Sequence, residues 1–350
     1  MPERTSQDRL ERWTAAVLEH AGLTAHDARL TAGAFVLQQM RGVEHHGLAR
    51  LPPLLDSIRE GRVNARPAIR VIVESPSLIL LDADHGPGTL ACHEAMSRAI
   101  DAARTAGTAM AVVRNSSHFL AAAPYCLQAA EAGLIGIAFS NALPSMAYPG
   151  AQRPVLSNGP FGYAVPTSLG FPIAFDAAMT ASGGQLVGLA QRGESLPSWL
   201  GGLDAEGQPT ADPASILNGG STLPIGMHKG AGLVLLFELL TGVLGGGAFL
   251  QGSTPGQPHE WRFGAESQCC IAIDPDKIAP RDEFLGRVDA YIAGVRAAAQ
   301  PDQVLLPGER AHAAYLDAQR TGVPISDETT AELIQYGRAA GIPLPSPKNG

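Results

Sequence analysis

The feature that most limits how this chain can fold is a succession of short apolar runs beginning at Ile69. IRVIV, LILLDAD, MAVVRN, LIGIAFSNA, FGYAVPT and FPIAFDA follow one another, separated by Gly, Pro, Asn and Ser. Runs of this length between turn residues read as strands. Helical spacing interrupts them clearly at two places: Thr89 to Thr105, with His93, Met96, Ile100 and Ala103 on one face, and the alanine-rich Ala121 to Glu131. Parallel neighbours need a crossover of a dozen or more residues, and FGYAVPT and FPIAFDA follow one another without one. A purely parallel, doubly wound sheet is therefore disfavoured, and the expected fold class is α/β (α+β) with a mixed, largely antiparallel sheet.

Helices lie on either side of this region. Leu10, Trp13 and Val17 recur at helical spacing, Thr24 with Asp27 resembles a capping box, and a third helix is expected to start at Pro52 or Pro53. After Asp176 the chain reads as helix and glycine-rich loop to about Leu250. A strand at SQCCIAIDP follows, then a helix with Phe284, Val288, Ile292 and Val295 on one face, and a last helix capped by Ser326. The stretch Ala231 to Leu250 is apolar enough to suggest a membrane span, but Glu238 sits at its middle, so a buried helix is expected instead.

Charge and cysteines narrow the function. The net charge is −8, which disfavours nucleic-acid binding. Apolar residues make 45% of the chain and charged ones only 17%, leaving room for a large core and a buried subunit contact. Cys92, Cys126, Cys269 and Cys270 show no C-x-x-C spacing, and the N-terminus MPERTSQDRLERW lacks the apolar stretch of a signal peptide. A cytoplasmic protein with reduced thiols and no membrane partner is expected.

Four segments could carry chemistry. Gly86-Pro87-Gly88-Thr89-Leu90-Ala91 has the spacing of a dinucleotide fingerprint after a strand. Proline stiffens its turn, two aspartates precede it, and no clean strand-helix-strand unit with a following acid is readable, so an ordinary start of a helix is preferred. RGVEHHGLAR joins two helices and brings together Glu44, His45, His46 and Arg50. These combine a titratable base, an orienting acid and a fork suited to a carboxylate, or else form a solvated turn whose histidines cap carbonyls. Adjacent histidines diverge and H-x-x-x-H is absent, which argues against a metal site and a histidine-based metal hydrolase. Arg114-Asn115-Ser116-Ser117-His118-Phe119 ends a strand before a helix, where His118 can meet an anion or cap the helix. Lys229, one of three lysines beside Lys277 and Lys348, stands in PIGMHKGAG between glycines, as an anion-binding cation or a plain surface lysine. Asp176 ends an apolar strand, where it can meet a site or cap the next helix.

These segments together resemble the malate/L-lactate dehydrogenase family that lacks a Rossmann fold, which also holds ureidoglycolate, sulfolactate and diketogulonate dehydrogenases and piperideine-2-carboxylate reductases. RGVEHHGLARLP, LLDADHGPG, VVRNSSHF, SNALPSMAYPGA, PIAFDAAMT, LPIGMHKGAGL and LPGER carry the resemblance in order over nearly the whole chain. It implies a non-Rossmann sheet that binds NAD or NADP, undecided between the two, flanked by helical domains, and a homodimer with the site near its interface. Residues 1–66 with 281–350 are then a helical domain, 67–180 with 262–280 the sheet domain, and 181–261 a second helical domain.

The resemblance also implies roles. His46 is the proton donor to the substrate, Arg50 holds its carboxylate, and Asp176 orients His46. His118, Phe119, Lys229 and the turn Gly308, Glu309, Arg310 contact the cofactor. The implied reaction moves a hydride between NAD(P)H and C2 of a small 2-oxo or 2-hydroxy acid. A cyclic ketimine reductase and a catalytically silent cofactor-binding homologue are the alternatives. The family's usual Ser-His is His45-His46 here, which places His45 among the catalytic candidates.

Overall fold

The structure is a computed structural model describing residues 3–197, 200–250, 265–298, 300 and 303–345. Its centre is a seven-stranded sheet in the order Arg70–Glu74, Leu78–Gly86, Thr108–Ser116, Glu266–Ile273, Ile135–Ser140, Pro160–Val165 and Ile173–Ala178. All neighbours pair antiparallel except Leu78–Gly86 with Thr108–Ser116, which are parallel. The late strand Glu266–Ile273 inserts between two early ones, and this brings residue 266 into the middle of the sheet.

Alternation along the strands separates two cores. Ala111 and Val113 face one side with Ala138, Ala164 and Ala272, against helices Gly88–Ala106 and Ala123–Glu131. Val112, Phe139 and Cys269 face the other, against Val234 and Phe237 of helix His228–Glu238. Phe237 stacks on Phe139 and Phe161, with ring centroids 4.7 and 5.4 Å apart.

A third core belongs to helices Gln7–His20, Ala25–Met40 and Leu51–Arg59, joined by Ala318, Val323, Ile325 and Leu333 from the C-terminal region. Glu3–Thr5 pairs antiparallel with Val323–Ile325, so the two ends of the chain are tied together. The sequence signals at the helix starts act as expected: Thr24 Oγ1 accepts from Asp27 N, and Ser326 Oγ accepts from Thr329 N.

Two expectations need correction. Leu78–Gly86, the helix Gly88–Ala106 and Thr108–Ser116 do form a strand-helix-strand unit with parallel strands. Its helix N-terminus is nevertheless filled. Gly88 N donates to Ser117 Oγ at 3.0 Å, and a Cβ on Gly88 would stand 2.1 Å from Ser117 O. No pyrophosphate can approach a backbone already occupied by its own chain.

Nor is the apolar stretch after Gly230 a buried helix. Ala231, Val234, Phe237 and Glu238 are buried, whereas Leu235, Leu236, Leu239, Val243 and Leu244 are exposed. Glu238 faces inward because its Oε1 accepts from Ser157 N at 2.9 Å, and this fixes the turn that follows. Among the described residues no helix is long and apolar enough to cross a membrane. The expected domain boundary at 261–262 and Lys348 lie outside the described residues.

Candidate active site

The junction between Ala25–Met40 and Leu51–Arg59 is two short 3-10 turns, Glu44–His46 and Leu48–Arg50. Gln39 holds it: its Oε1 accepts from Leu48 N at 3.1 Å and its Nε2 donates to Pro324 O at 2.8 Å. Gly47 is required there, since a Cβ would lie 2.6 Å from Gln39 Oε1. Glu44 serves the same scaffold, accepting from Ser326 N at 3.0 Å, and the Ser326 and Thr329 hydrogen bonds hold its carboxyl below the usual range against the opposing effect of burial. The expected orienting acid is thus an anchor for the last helix.

His46 leaves this junction to line a narrow cleft together with His118, Phe119, Leu120, Asn141, Asn158, Asp176 and Glu266. The His46 and His118 rings stack at 5.7 Å between centroids and 21° between planes, and His45 tilts against His46 at 4.5 Å. Burial is the first cause that lowers His46 to about 3, with the charges of His118, His45 and Arg50 adding to it. Burial, then Arg50, lowers His118 to about 4. Both rings are therefore neutral near pH 7 in the free chain. His118 Nδ1 accepts from Leu120 N at 3.1 Å, which leaves its hydrogen on Nε2.

Asp176 shares the cleft but does not bond to His46 as expected. Its Oδ2 accepts from Ala123 N at 2.8 Å, whereas His46 Nδ1 is sealed from solvent without a partner. The carboxylate is drawn away by the backbone N–H groups at the start of helix Ala123–Glu131, an electropositive position. Asp176 is exposed at the cleft yet surrounded closely by protein, and this desolvation pushes its pKa up to about 6 against the opposing backbone bonds and Arg41.

Arg50 is exposed, its Nε donating to His45 O at 3.1 Å. Its charge reaches His45, His46, His118 and Glu266 alike, which locates it beside the cleft although it does not line it. Phe119 is buried against Tyr125, whose hydroxyl donates to Phe119 O at 2.6 Å, so its contribution to the cleft is made by a fixed loop.

Lys229 lies in the first turn of His228–Glu238, after Gly226 and Met227, both with positive φ. Residues 225–229 are exposed, and the Lys229 side chain has no hydrogen bond or ion pair among the described residues. Gly308, at φ 88, caps helix Glu309–Thr321 beside Ala174, whose N–H donates to Pro307 O at 3.0 Å. Glu309 accepts from Leu306 N and pairs with Arg296, while Arg310 is exposed. Lys229 and this turn stand outside the lining of the cleft.

Sequence reasoning missed Glu266. It begins the inserted strand, its Oε2 is sealed without a hydrogen-bond partner, and burial raises its pKa to about 8 despite the charge of Arg50. The readable signal was an acid immediately before the strand expected at SQCCIAIDP.

The lining suits a flat carboxamide ring beside a small acid. Apolar Phe119, Leu120, Pro160 and Ala178 alternate with hydrogen-bonding groups, and the sealed, unpartnered atoms of His46 and Glu266 await partners. The exposed Lys229 with its glycine-flanked backbone suits phosphates. Among the described residues no three His, Cys, Asp or Glu side chains converge as a metal-ligand set.

A profile of the malate/L-lactate dehydrogenase family matches residues 5–334. The chain is 32% identical to a malate dehydrogenase of Pyrococcus abyssi over 97% of its own length and 95% of that protein's. It is 35% identical to a (2R)-3-sulfolactate dehydrogenase (NADP(+)) of Chromohalobacter salexigens, covering 87% and 89% of the two chains. The solved Δ1-piperideine-2-carboxylate reductase of Pseudomonas syringae superposes with a TM-score of 0.85 at 30% identity, over 95% of this chain and 99% of that one.

Proposed function

This chain belongs to the malate/L-lactate dehydrogenase family and is an oxidoreductase of CH–OH or CH–NH groups, and from that premise we propose that His46, Arg50 and the cleft they flank carry out the reaction. The observation that supports this reading most is the meeting, at one cleft, of two stacked neutral histidines and the field of one exposed arginine. When bound, a reduced nicotinamide supplies a hydride to C2 of the substrate. The Arg50 fork holds the substrate carboxylate and so fixes C2 in the cleft. A carboxylate arriving there opposes the burial that keeps His46 neutral, so His46 can take up a proton and pass it to the oxygen or nitrogen on C2. His118 Nε2–H is a donor toward the same space, and His45 replaces the family's serine as a second ring against His46.

Lys229 and the Gly308-Glu309-Arg310 turn are assigned to the cofactor, as NAD or NADP. The exposed leucine face of residues 233–244 contains one acid, Glu238, and that acid is buried, so a second copy of the chain is its assigned partner. A homodimer in the cytoplasm, with its four buried thiols free, fits these features.

The test is loss of reduced-nicotinamide absorbance, with each cofactor, against pyruvate and other 2-oxo acids beside piperideine and pyrroline 2-carboxylates. Turnover of either class supports the reading. Tight cofactor binding with turnover of neither contradicts it and leaves a silent homologue.

A further inference from the structure

The charges around the cleft are unequal. Its lining holds two carboxyl groups, Asp176 and Glu266, and neither lysine nor arginine. The cation whose charge reaches Glu266 is Arg50, which the proposed function commits to a substrate carboxylate, and the cation whose charge reaches Asp176 is the buried Arg41, already opposite that acid. A second anionic group on the substrate would therefore enter beside two acids with no uncommitted cation in the lining.

The hydrogen-bonding inventory points the same way. Asn141 Nδ2 donates to Ala248 O and its Oδ1 accepts from Ser267 N. Ser140 Oγ donates to Asn141 O, and Asp176 accepts from Ala123 N. Of the two acids that line the cleft, only Glu266 keeps a buried oxygen, Oε2, without a partner. Leaving such an atom unpaired is costly, so the ligand that binds best is one that satisfies it.

We propose that Glu266 is a specificity-determining residue: it favours substrates that bring one carboxylate together with a hydrogen-bond donor or cationic nitrogen for its carboxyl oxygen, and in its ionised form it disfavours a second anionic group. This rests on the proposed site, since it takes Arg50 as the carboxylate holder. An arriving N–H donates to the Glu266 carboxyl oxygen. A cationic nitrogen does more, because its charge favours the ionised carboxylate that burial otherwise disfavours. The sheet gives the residue its position: Glu266 pairs in register with Ser116, two residues before His118, so its strand carries it to the same end of the sheet.

Calorimetric titration of the full chain at pH 9, where Glu266 is ionised, with and without reduced nicotinamide cofactor, tests this with three ligands that the reaction cannot consume. Pyrrole-2-carboxylate has one carboxylate and a ring N–H, furan-2-carboxylate has the same shape without the N–H, and malonate adds a second carboxylate. The wild-type chain is expected to bind the pyrrole about tenfold more tightly than either of the others. Glu266→Leu is expected to bring pyrrole and furan to equal affinity. Glu266→Gln, which keeps the size and offers an amide donor, is expected to strengthen malonate binding about tenfold and so guards against misfolding of the leucine variant.

Equal affinities in the wild type, unchanged ratios in both variants, or no binding of the pyrrole under either condition would overturn the proposal. Failure of the proposed function is separate: it appears as absence of hydride transfer to every oxo and imino acid, whereas failure of the Glu266 proposal leaves that transfer in place with dianions preferred or indifferent.

Discussion

The two walls of the cleft are built in opposite ways. His45, His46 and Arg50 come from six consecutive positions of one helix junction, held by Gln39 and Gly47, with His45 and Arg50 open to water. His118, Asp176 and Glu266 come from strands or strand ends far apart in sequence; His118 and Glu266 are recessed and Asp176 is partly open, yet desolvation by the surrounding protein is the first influence on the protonation of all three. One wall offers a permanent cation at the surface. The other offers acids and a histidine whose charge responds to what enters, and a substrate held between them is read for charge on both sides.

The largest expected effect separates the walls by chemistry. His46→Ala should lower kcat by about 10²–10⁴-fold while leaving the cofactor Kd unchanged, measured by single-turnover kinetics and fluorescence titration. A greater loss from His118→Ala with His46→Ala near normal would move the proton donor to the sheet wall. Next is Arg50→Lys, which replaces a fork with a point charge and should raise substrate KM by about 10- to 100-fold with little change in cofactor affinity. An unchanged KM would take the carboxylate off the junction wall.

The smallest effect concerns stability. The Glu266 carboxyl ionises near 4.5 when unfolded and near 8 when folded, so between these values the folded chain holds the extra proton. Stability from this group is full below about pH 4.5 and is lost as the pH rises toward 8. Glu266→Gln removes that loss. Its Tm relative to wild type should rise from pH 5 to pH 8 by at most about 2 °C per pH unit, and a difference flat in pH would mean that the carboxyl is solvated.

The contrast between the walls also explains what the sequence could reveal. The junction was legible because its groups are neighbours in sequence and meet locally. The strands were legible because turn residues bound them, and the two helices at 88–106 and 123–131 lie within two residues of their expected limits. Glu266 was not, since only the insertion of Glu266–Ile273 between two distant strands brings it to the cleft. The Asp176 partner was hidden for a similar reason: strand and helix start meet across fifty-three positions.

Composition misled in the apolar stretch after Gly230, because residues equally suited to a core and to a subunit contact have the same hydropathy. Glycine spacing misled less. The fingerprint at Gly86 to Ala91 was set aside, although the strand-helix-strand unit around it is real, and what disables it is Ser117, some thirty residues away. The pairing of Glu3–Thr5 with Val323–Ile325 had no local signal at all.

In the proposed reaction this cleft directs a hydride to C2 of a small carboxylic acid. Reduced nicotinamide carrying deuterium at C4 should be oxidised with pyruvate or a cyclic imino acid, and the product examined by mass spectrometry and proton NMR. One deuterium at C2, transferred from a single face of the cofactor and lost in His46→Ala, is the predicted result. Product without label at C2 from both C4 epimers of the deuterated cofactor, or label arriving from deuterated water instead, would contradict it.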